Sequence, residues 1–260
     1  MELVLIGVSA LLVSGLTLFS GFGLGTVLMP VFALFFPLPL AIAATAVVHF
    51  ANNIFKFGLM AKQADWRVVA RFSVPAAIAA LAGASLINLF DKMPVMVSYT
   101  VGGSTFEITM IKAVIGSLIV AFALLELSPR LQALAFPPRW LPLGGALSGF
   151  FGGLSGNQGA LRSAFLLKSD LSKEAFVATG VVSAVIVDAA RLVVYGASFM
   201  ASNFAQSQEL LAPVAVGTIC AFIGSFVGKR MLQKVTLRTV QIVVAVAMLL
   251  IGTGLVAGLV

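Results

Sequence analysis

Charged residues are scarce in this chain. They make up 10% of its 260 residues, whereas hydrophobic residues make up 60%. A soluble domain carries roughly 25% charged residues, and no polar stretch here is long enough to form a separate soluble domain. The composition therefore argues against a large soluble core and indicates a protein that crosses a membrane several times.

Cysteine and histidine are nearly absent as well. The single Cys220 excludes an intrachain disulfide, and His49 is the only histidine. We expect no metal and no cofactor. The N-terminal residues lack the Lys/Arg region of a signal peptide, so the apolar run from Leu3 is interpreted as the first membrane element. The net charge of +7 comes from basic residues in short gaps between apolar runs, which favours a role in topology over nucleic-acid binding.

Eight apolar segments follow one another along the chain, and most of them have the length of about 20 residues that one span needs. They cover residues 2–36, 39–61, 68–90, 108–127, 141–167, 174–199, 209–228 and 239–260. The first is too long for one span and too short for two, and the fifth is interrupted at residues 152–159. Both are predicted to be broken, re-entrant helical hairpins.

An internal repeat relates the two halves of the chain with an offset of about 134 positions. Residues 41–48 align with residues 175–182, and the break at Gly25 aligns with the break at Gly159. The repeat predicts two copies, 1–128 and 140–260, joined by a cytoplasmic linker at 129–139. Each copy would contain one hairpin and three transmembrane helices, giving an all-α polytopic membrane protein.

The basic loops give the orientation. They follow segments two, four and seven, and are expected to be cytoplasmic. If the fifth segment enters and returns on the cytoplasmic side, all these loops lie inside; if it is a plain span, the last one lies outside. An odd number of crossings per copy then inverts the repeats and places both termini in the periplasm. The alternative is eight plain spans with an irregular charge pattern.

The tip of the second hairpin reads GLSGNQGALR, from Gly153 to Arg162. Irregular backbone is tolerated in a membrane only where it is buried in protein or lines a cavity. A half-helix that restarts near Ala160 would direct its N–H groups and positive dipole end at an anion, with Arg162 beside it. Alternatively, Arg162 lies at the rim of a plain span. The other candidate ligands, which are otherwise ordinary turn residues, are Ser155, Gly156, Asn157, Gln158 and Gly159.

The tip of the first hairpin has no charge. Gly23 and Gly25 permit a close approach of the backbone, and Thr26 is the one strong side-chain donor there. We expect this half to contribute mainly N–H groups and shape. Thr45 and Thr179 occupy equivalent positions of the repeat, and either both face the cavity or each bonds its own helix backbone.

Four polar residues inside the predicted spans complete the candidate set. His49 either carries a proton, since imidazole titrates near neutral pH, or bonds a neighbouring helix as a neutral ring. Asn53 lies on the same helix face. Asp188 and Arg191 are three residues apart, and either satisfy each other or serve an anion path, with Asp188 as partner or proton relay. Lys56 is interpreted as extending to the membrane surface.

The run GFGLGTVLMP at residues 21–30, its second copy GGLSGNQGALRSAF, and the Ala-x-x-x-Thr that follows each resemble the TauE/SafE sulfite exporter family, also called the 4-toluene sulfonate uptake permease family. The resemblance covers essentially the whole chain. It implies export, or sometimes uptake, of small sulfur-containing anions such as sulfite, sulfoacetate and other organosulfonates across the bacterial inner membrane. The expected function is a secondary transporter that exports such an anion by alternating access, with His49 as the candidate for proton coupling. A guanidinium suits the three oxygens of a sulfonate.

The expected partners are therefore a small sulfur oxyanion or sulfonate and the lipid bilayer, without nucleic acid, and the protein is expected to be a monomer or a homodimer rather than an enzyme. Two alternatives remain. One is a passive anion channel of the same fold. The other is a rhomboid-like intramembrane serine protease, because residues 153–156 match its GxSG pattern; rhomboids, however, place their histidine after the serine, and His49 precedes it.

Overall fold

The computed structural model describes residues 1–17, 24–200, 208–231 and 237–259. These residues are almost entirely helical. Four helical stretches are long and apolar enough to cross a membrane, at 38–63, 66–91, 110–127 and 173–198. Shorter apolar helices lie at Glu2–Gly15, Leu211–Val227 and Val244–Val256. The prediction of an all-α membrane protein is confirmed.

The helices fall into two sets along the chain, one in each half. In the first half they are α1 (Glu2–Thr17), α2 (Leu24–Ala33), α3 (Leu38–Met60), α4 (Trp66–Asp91) and α5 (Met110–Leu127). A short helix, α6 (Pro129–Gln132), connects the halves. In the second half they are α7 (Leu141–Ser155), α8 (Gly159–Leu166), α9 (Lys173–Tyr195), α10 (Leu211–Met231) and α11 (Leu237–Val256). A single π-helical turn at Gly196–Met200 follows α9.

A small β-hairpin lies between α4 and α5 and was not predicted. Strands β1 (Val97–Val101) and β2 (Ser104–Ile108) pair antiparallel around Gly102 and Gly103, which both have positive φ. The Tyr99 hydroxyl donates a hydrogen bond to the carbonyl of Ala257. This contact attaches the β-hairpin to the C-terminal end of α11. Because β2 ends at Ile108, α5 begins at Met110, two residues later than the predicted boundary of 108.

Helix α7 packs against α4 with the two backbones in direct contact. A β-carbon added at Gly149 would lie 2.0 Å from the carbonyl oxygen of Ala76, and one added at Gly145 would lie 2.0 Å from that of Phe72. Only glycine permits so close an approach. The other hairpin packs across the halves in the same way, since α1 packs against α10, where a β-carbon at Gly224 would lie 2.1 Å from the carbonyl oxygen of Leu11.

Helices α3 and α9 pack against each other at the centre of the bundle. In the most apolar 18 residues of each helix, 67% of the residues are buried in α3 and 56% in α9, whereas only 39% are buried in α4 and in α5. The outer helices expose large apolar side chains such as Ile78, Ile219 and Leu250, as expected of surfaces that face lipid. The two central helices carry more than half of the buried polar side chains among the described residues, and their central position keeps these side chains away from lipid.

Candidate functional site

The fifth segment is broken where the sequence indicated. Helix α7 ends at Ser155, Gly156 follows with φ of 79°, and α8 begins at Gly159. Glycine is the usual residue in this left-handed position at the end of a helix. The Gly156 N–H donates to the Gly152 carbonyl at 3.0 Å, and the Ser148 hydroxyl donates to the Gln158 carbonyl at 3.0 Å. The break is therefore a hydrogen-bonded structure of fixed shape.

The start of α2 meets this break. A β-carbon added at Gly25 would lie 3.4 Å from the carbonyl oxygen of Gly156, 3.7 Å from Thr45 and 3.9 Å from His49. The N-terminus of α2 and the interruption between α7 and α8 are thus in contact. Gly23, which was also predicted to belong to the site, and the side chain of Thr26 lie outside the described residues.

Asp188 is the centre of a buried polar cluster beside the break. His49 Nδ1 lies 2.6 Å from its Oδ2, and Asn53 Nδ2 donates to the same oxygen at 3.0 Å. Gln158 Nε2 donates to Oδ1 at 3.2 Å. All four residues are at most 5% exposed. One carboxylate therefore connects α3, α9 and the residue that precedes α8, and the structure brings these four predicted residues together.

Arg191 belongs to the same cluster. Its Nη2 lies 2.8 Å from Asp188 Oδ1, so the two side chains form an ion pair. The geometry of this contact is not that of a hydrogen bond. Its Nη1 donates to the Gly152 carbonyl at 3.2 Å. The Tyr195 hydroxyl, one turn further along α9, donates to the Gly153 carbonyl. Arg191 and Asp188 thus form the pair that the spacing predicted, and the charge of Arg191 is compensated within the protein.

Arg162 has no such partner among the described residues. Its N–H donates to the Gln158 carbonyl at 3.0 Å, so it lies in the first turn of α8. Its Nη1 is buried without a hydrogen bond, and in the described part of the chain no carboxylate lies within 4.0 Å of it. A β-carbon added at Gly180 would lie 3.4 Å from its Nε. The guanidinium therefore packs on α9 at Gly180, which lies seven residues, or about 10 Å, beyond the first residue of that helix.

Within the parts of the chain that the structure describes, three further buried oxygen atoms around the break have no hydrogen-bond partner. They are Thr45 Oγ1, Asn157 Oδ1 and Gln158 Oε1. Buried polar groups are almost always hydrogen-bonded, so a concentration of exceptions at one place indicates a binding site. Ser155, predicted as a ligand, is occupied locally, since its hydroxyl donates to the Phe151 carbonyl at 3.1 Å and accepts from Asn157 Nδ2 at 3.3 Å.

Two interpretations of the sequence were wrong. Lys56 does not extend to a surface, because it is 7% exposed and lies among polar groups of the interior. Thr179 neither faces the cavity nor bonds its own helix, because its hydroxyl accepts from the Asp65 N–H at 3.0 Å. In both cases the rotation of the helix about its own axis determines which neighbour the side chain contacts. The sequence indicated that these residues are polar but not which neighbour they meet.

A serine protease site is not formed by the described residues. His49 is hydrogen-bonded to Asp188 and lies near Asn53, whereas Ser155 contacts Phe151 and Asn157. No hydrogen bond in this part of the chain joins His49 to Ser155, as a nucleophile and its general base would require.

A family model described as sulfite exporter TauE/SafE matches residues 3–255. The chain belongs to the TauE/SafE family. Among curated proteins no sequence matches the chain. TauE/SafE membership confirms the resemblance drawn from the two glycine-rich runs. It makes the chain a membrane transporter of the sulfur-anion exporter type rather than an enzyme, with a small anion as its substrate class.

Proposed function

We propose that this TauE/SafE protein exports sulfite or an organosulfonate such as sulfoacetate across the bacterial inner membrane, and that the anion binds at the break between α7 and α8. The observation that carries the proposal is the buried Nη1 of Arg162 beside the N-terminus of α8, for which the described residues provide no hydrogen-bond partner. Leaving a buried charged donor unpaired is costly, and a bound oxyanion would pair it. Backbone N–H groups of α8 and α2 would supply the remaining hydrogen bonds.

Inverted repeats would explain how the site alternates between the two sides. Helix α1 packs against α10 as α7 packs against α4, while α3 pairs with α9 and α5 with α11. In the repeat, α1, α3, α4 and α5 correspond to α7, α9, α10 and α11. When each helix is replaced by its counterpart, the pair α1–α10 becomes α7–α4, and the pairs α3–α9 and α5–α11 are unchanged, as a two-fold relation requires. This supports two copies, 1–128 and 140–260, related by a two-fold axis. In our proposal the copies are inverted, both termini lie in the periplasm, and the copies move against each other around a fixed site.

The contact between His49 and Asp188 is the proposed site of proton coupling. A proton added here changes the charge of the carboxylate that holds Arg191 and Gln158. Because Gln158 immediately precedes α8, such a change would act directly on the break. A passive channel is the second candidate, and accumulation against a concentration gradient would separate a carrier from it.

Transport by reconstituted protein tests the proposal. Arg162→Ala is expected to lower sulfite or sulfoacetate transport at least about 100-fold, since a buried charge-assisted contact is lost, while Arg67→Ala, an exposed residue of α4, leaves it unchanged. His49→Gln is expected to abolish the response to an imposed proton gradient. Wild-type transport by a folded Arg162→Ala protein contradicts the proposed site, and an unaltered gradient response in His49→Gln contradicts the coupling.

A further inference from the structure

Three cations are located near the break, and only one of them is paired with a carboxylate of the described residues. Arg191 is paired with Asp188. For Lys56 and Arg162, the described residues include no carboxylate within 4.0 Å. The local charges of Asp188 and Arg191 cancel, so Lys56 and Arg162 leave two positive charges uncompensated.

The surroundings of Lys56 contain neutral partners. With the Asn52 amide oriented so that its nitrogen donates to Ser225 Oγ at 2.9 Å, its oxygen accepts from Lys56 Nζ at 3.2 Å and from Ser14 Oγ at 3.2 Å. The Asn52 amide, itself held by the two hydroxyls, positions the amine of Lys56 and carries no charge that would neutralise an ammonium. A buried ammonium without a counter-charge is strongly disfavoured, and a bound anion would supply that counter-charge.

Lys56 lies at the same level of the bundle as Arg162. Helices α3 and α9 run in opposite directions, because Asn53 of α3 reaches Asp188, whereas Phe57 packs in the cluster that contains Val182 and Ala178. Position 56 therefore lies at the level of the part of α9 near Gly180, on which Arg162 packs. Two positive charges at one level of the bundle repel each other, and an anion that binds between them relieves this repulsion.

We infer that Lys56 supplies the second positive charge of the anion site and makes the site select dianions over monoanions. This inference rests on the proposed function of the α7–α8 break. A dianion such as sulfite or sulfoacetate in its fully ionised form compensates both Lys56 and Arg162. A monoanion of similar size leaves one buried cation uncompensated, and it therefore binds more weakly.

Isothermal titration of the purified full chain with sulfate and methanesulfonate tests this role of Lys56. The two anions share a tetrahedral sulfur and differ by one charge. The wild type is expected to bind sulfate about ten-fold more tightly than methanesulfonate. Lys56→Gln is expected to weaken sulfate binding about ten-fold and methanesulfonate binding less than about two-fold. Lys56→Arg keeps the charge and should keep most of the preference, and Lys62→Gln, an exposed residue, is the matched control.

The outcomes separate this inference from the proposed function. An unchanged preference in Lys56→Gln, or a wild type that binds both anions equally, overturns the role of Lys56 while leaving the anion site in place. A wild type that binds neither these anions nor sulfite and sulfoacetate overturns the site itself. If Lys56→Gln does not fold, Lys56→Arg decides, because loss of the preference with the charge retained contradicts charge matching.

Discussion

The two hairpins of the molecule share a scaffold but differ in chemistry. At the first, α2 starts beside Gly25 and brings no charged side chain to the point of contact. At the second, α8 starts beside Asn157 and Gln158 and carries Arg162 in its first turn. In the proposed site, the first hairpin would supply shape and N–H groups, and the second would supply the charge and the side-chain polar groups.

The two hairpins also differ in how closely they pack against the opposite half of the molecule. Helix α7 approaches α4 through its own glycines at several successive turns, so that backbone lies on backbone along its length. Helix α1 instead meets α10 at Gly224 with a contact of that kind, and elsewhere, as at Gly7, against side chains. Helix α7 is thus held more closely than α1, and in the proposed site this packing would keep Arg162 and the break in fixed positions.

The largest expected effect is on this close packing. Gly149→Ala places a β-carbon about 2 Å from the Ala76 carbonyl, so α7 and α4 must separate, at an expected cost of about 3 kcal/mol or more in the free energy of unfolding. Gly224→Ala should act in the same direction at the contact between α10 and α1. Thermal unfolding in detergent measures both, with Gly58→Ala, where nothing lies within 4 Å, as the control. A Gly149→Ala protein as stable as this control would contradict the packing account.

A smaller effect distinguishes the two equivalent threonines. Thr179→Val removes the acceptor of the Asp65 N–H and should cost about 1 kcal/mol of stability without changing anion affinity. Thr45→Val removes an unpartnered hydroxyl beside Gly25, and should weaken anion binding about three-fold with little loss of stability. Paired measurements of unfolding and binding test this difference. Equal effects of the two substitutions on binding would mean that the halves contribute alike.

Much of the bundle was predictable because its signals are local. The length of the apolar runs predicted the long helices, and the Gly-Ser-Asn-Gln stretch before Arg162 predicted the interruption. Charge scarcity made Asp188 and Arg191 conspicuous, and their spacing predicted the ion pair that is observed. The Gly102-Gly103 pair between two short runs with β-branched and aromatic residues also indicates a β-hairpin, but the long apolar segments on both sides of it give a stronger signal.

Contacts between helices could not be predicted, because they depend on how each helix is rotated about its axis. His49 and Asp188 are 139 positions apart and meet at 2.6 Å, and Ser14 meets Ser225 across 211 positions at 2.6 Å. A polar residue in an apolar run signals that it faces protein. It does not identify the partner, which is why the sequence placed Lys56 at a surface and gave two alternatives for Thr179, neither of which is observed.

A crystal structure with bound selenate, a heavier analogue of sulfate, tests the central claim most directly. The account predicts an anomalous selenium peak within about 4 Å of the Arg162 guanidinium, the distance of a charge-assisted contact, between Gly25 and the α7–α8 break. A peak located only at the basic loops, with the region between Gly25 and Arg162 free of selenium at saturating selenate, would contradict it.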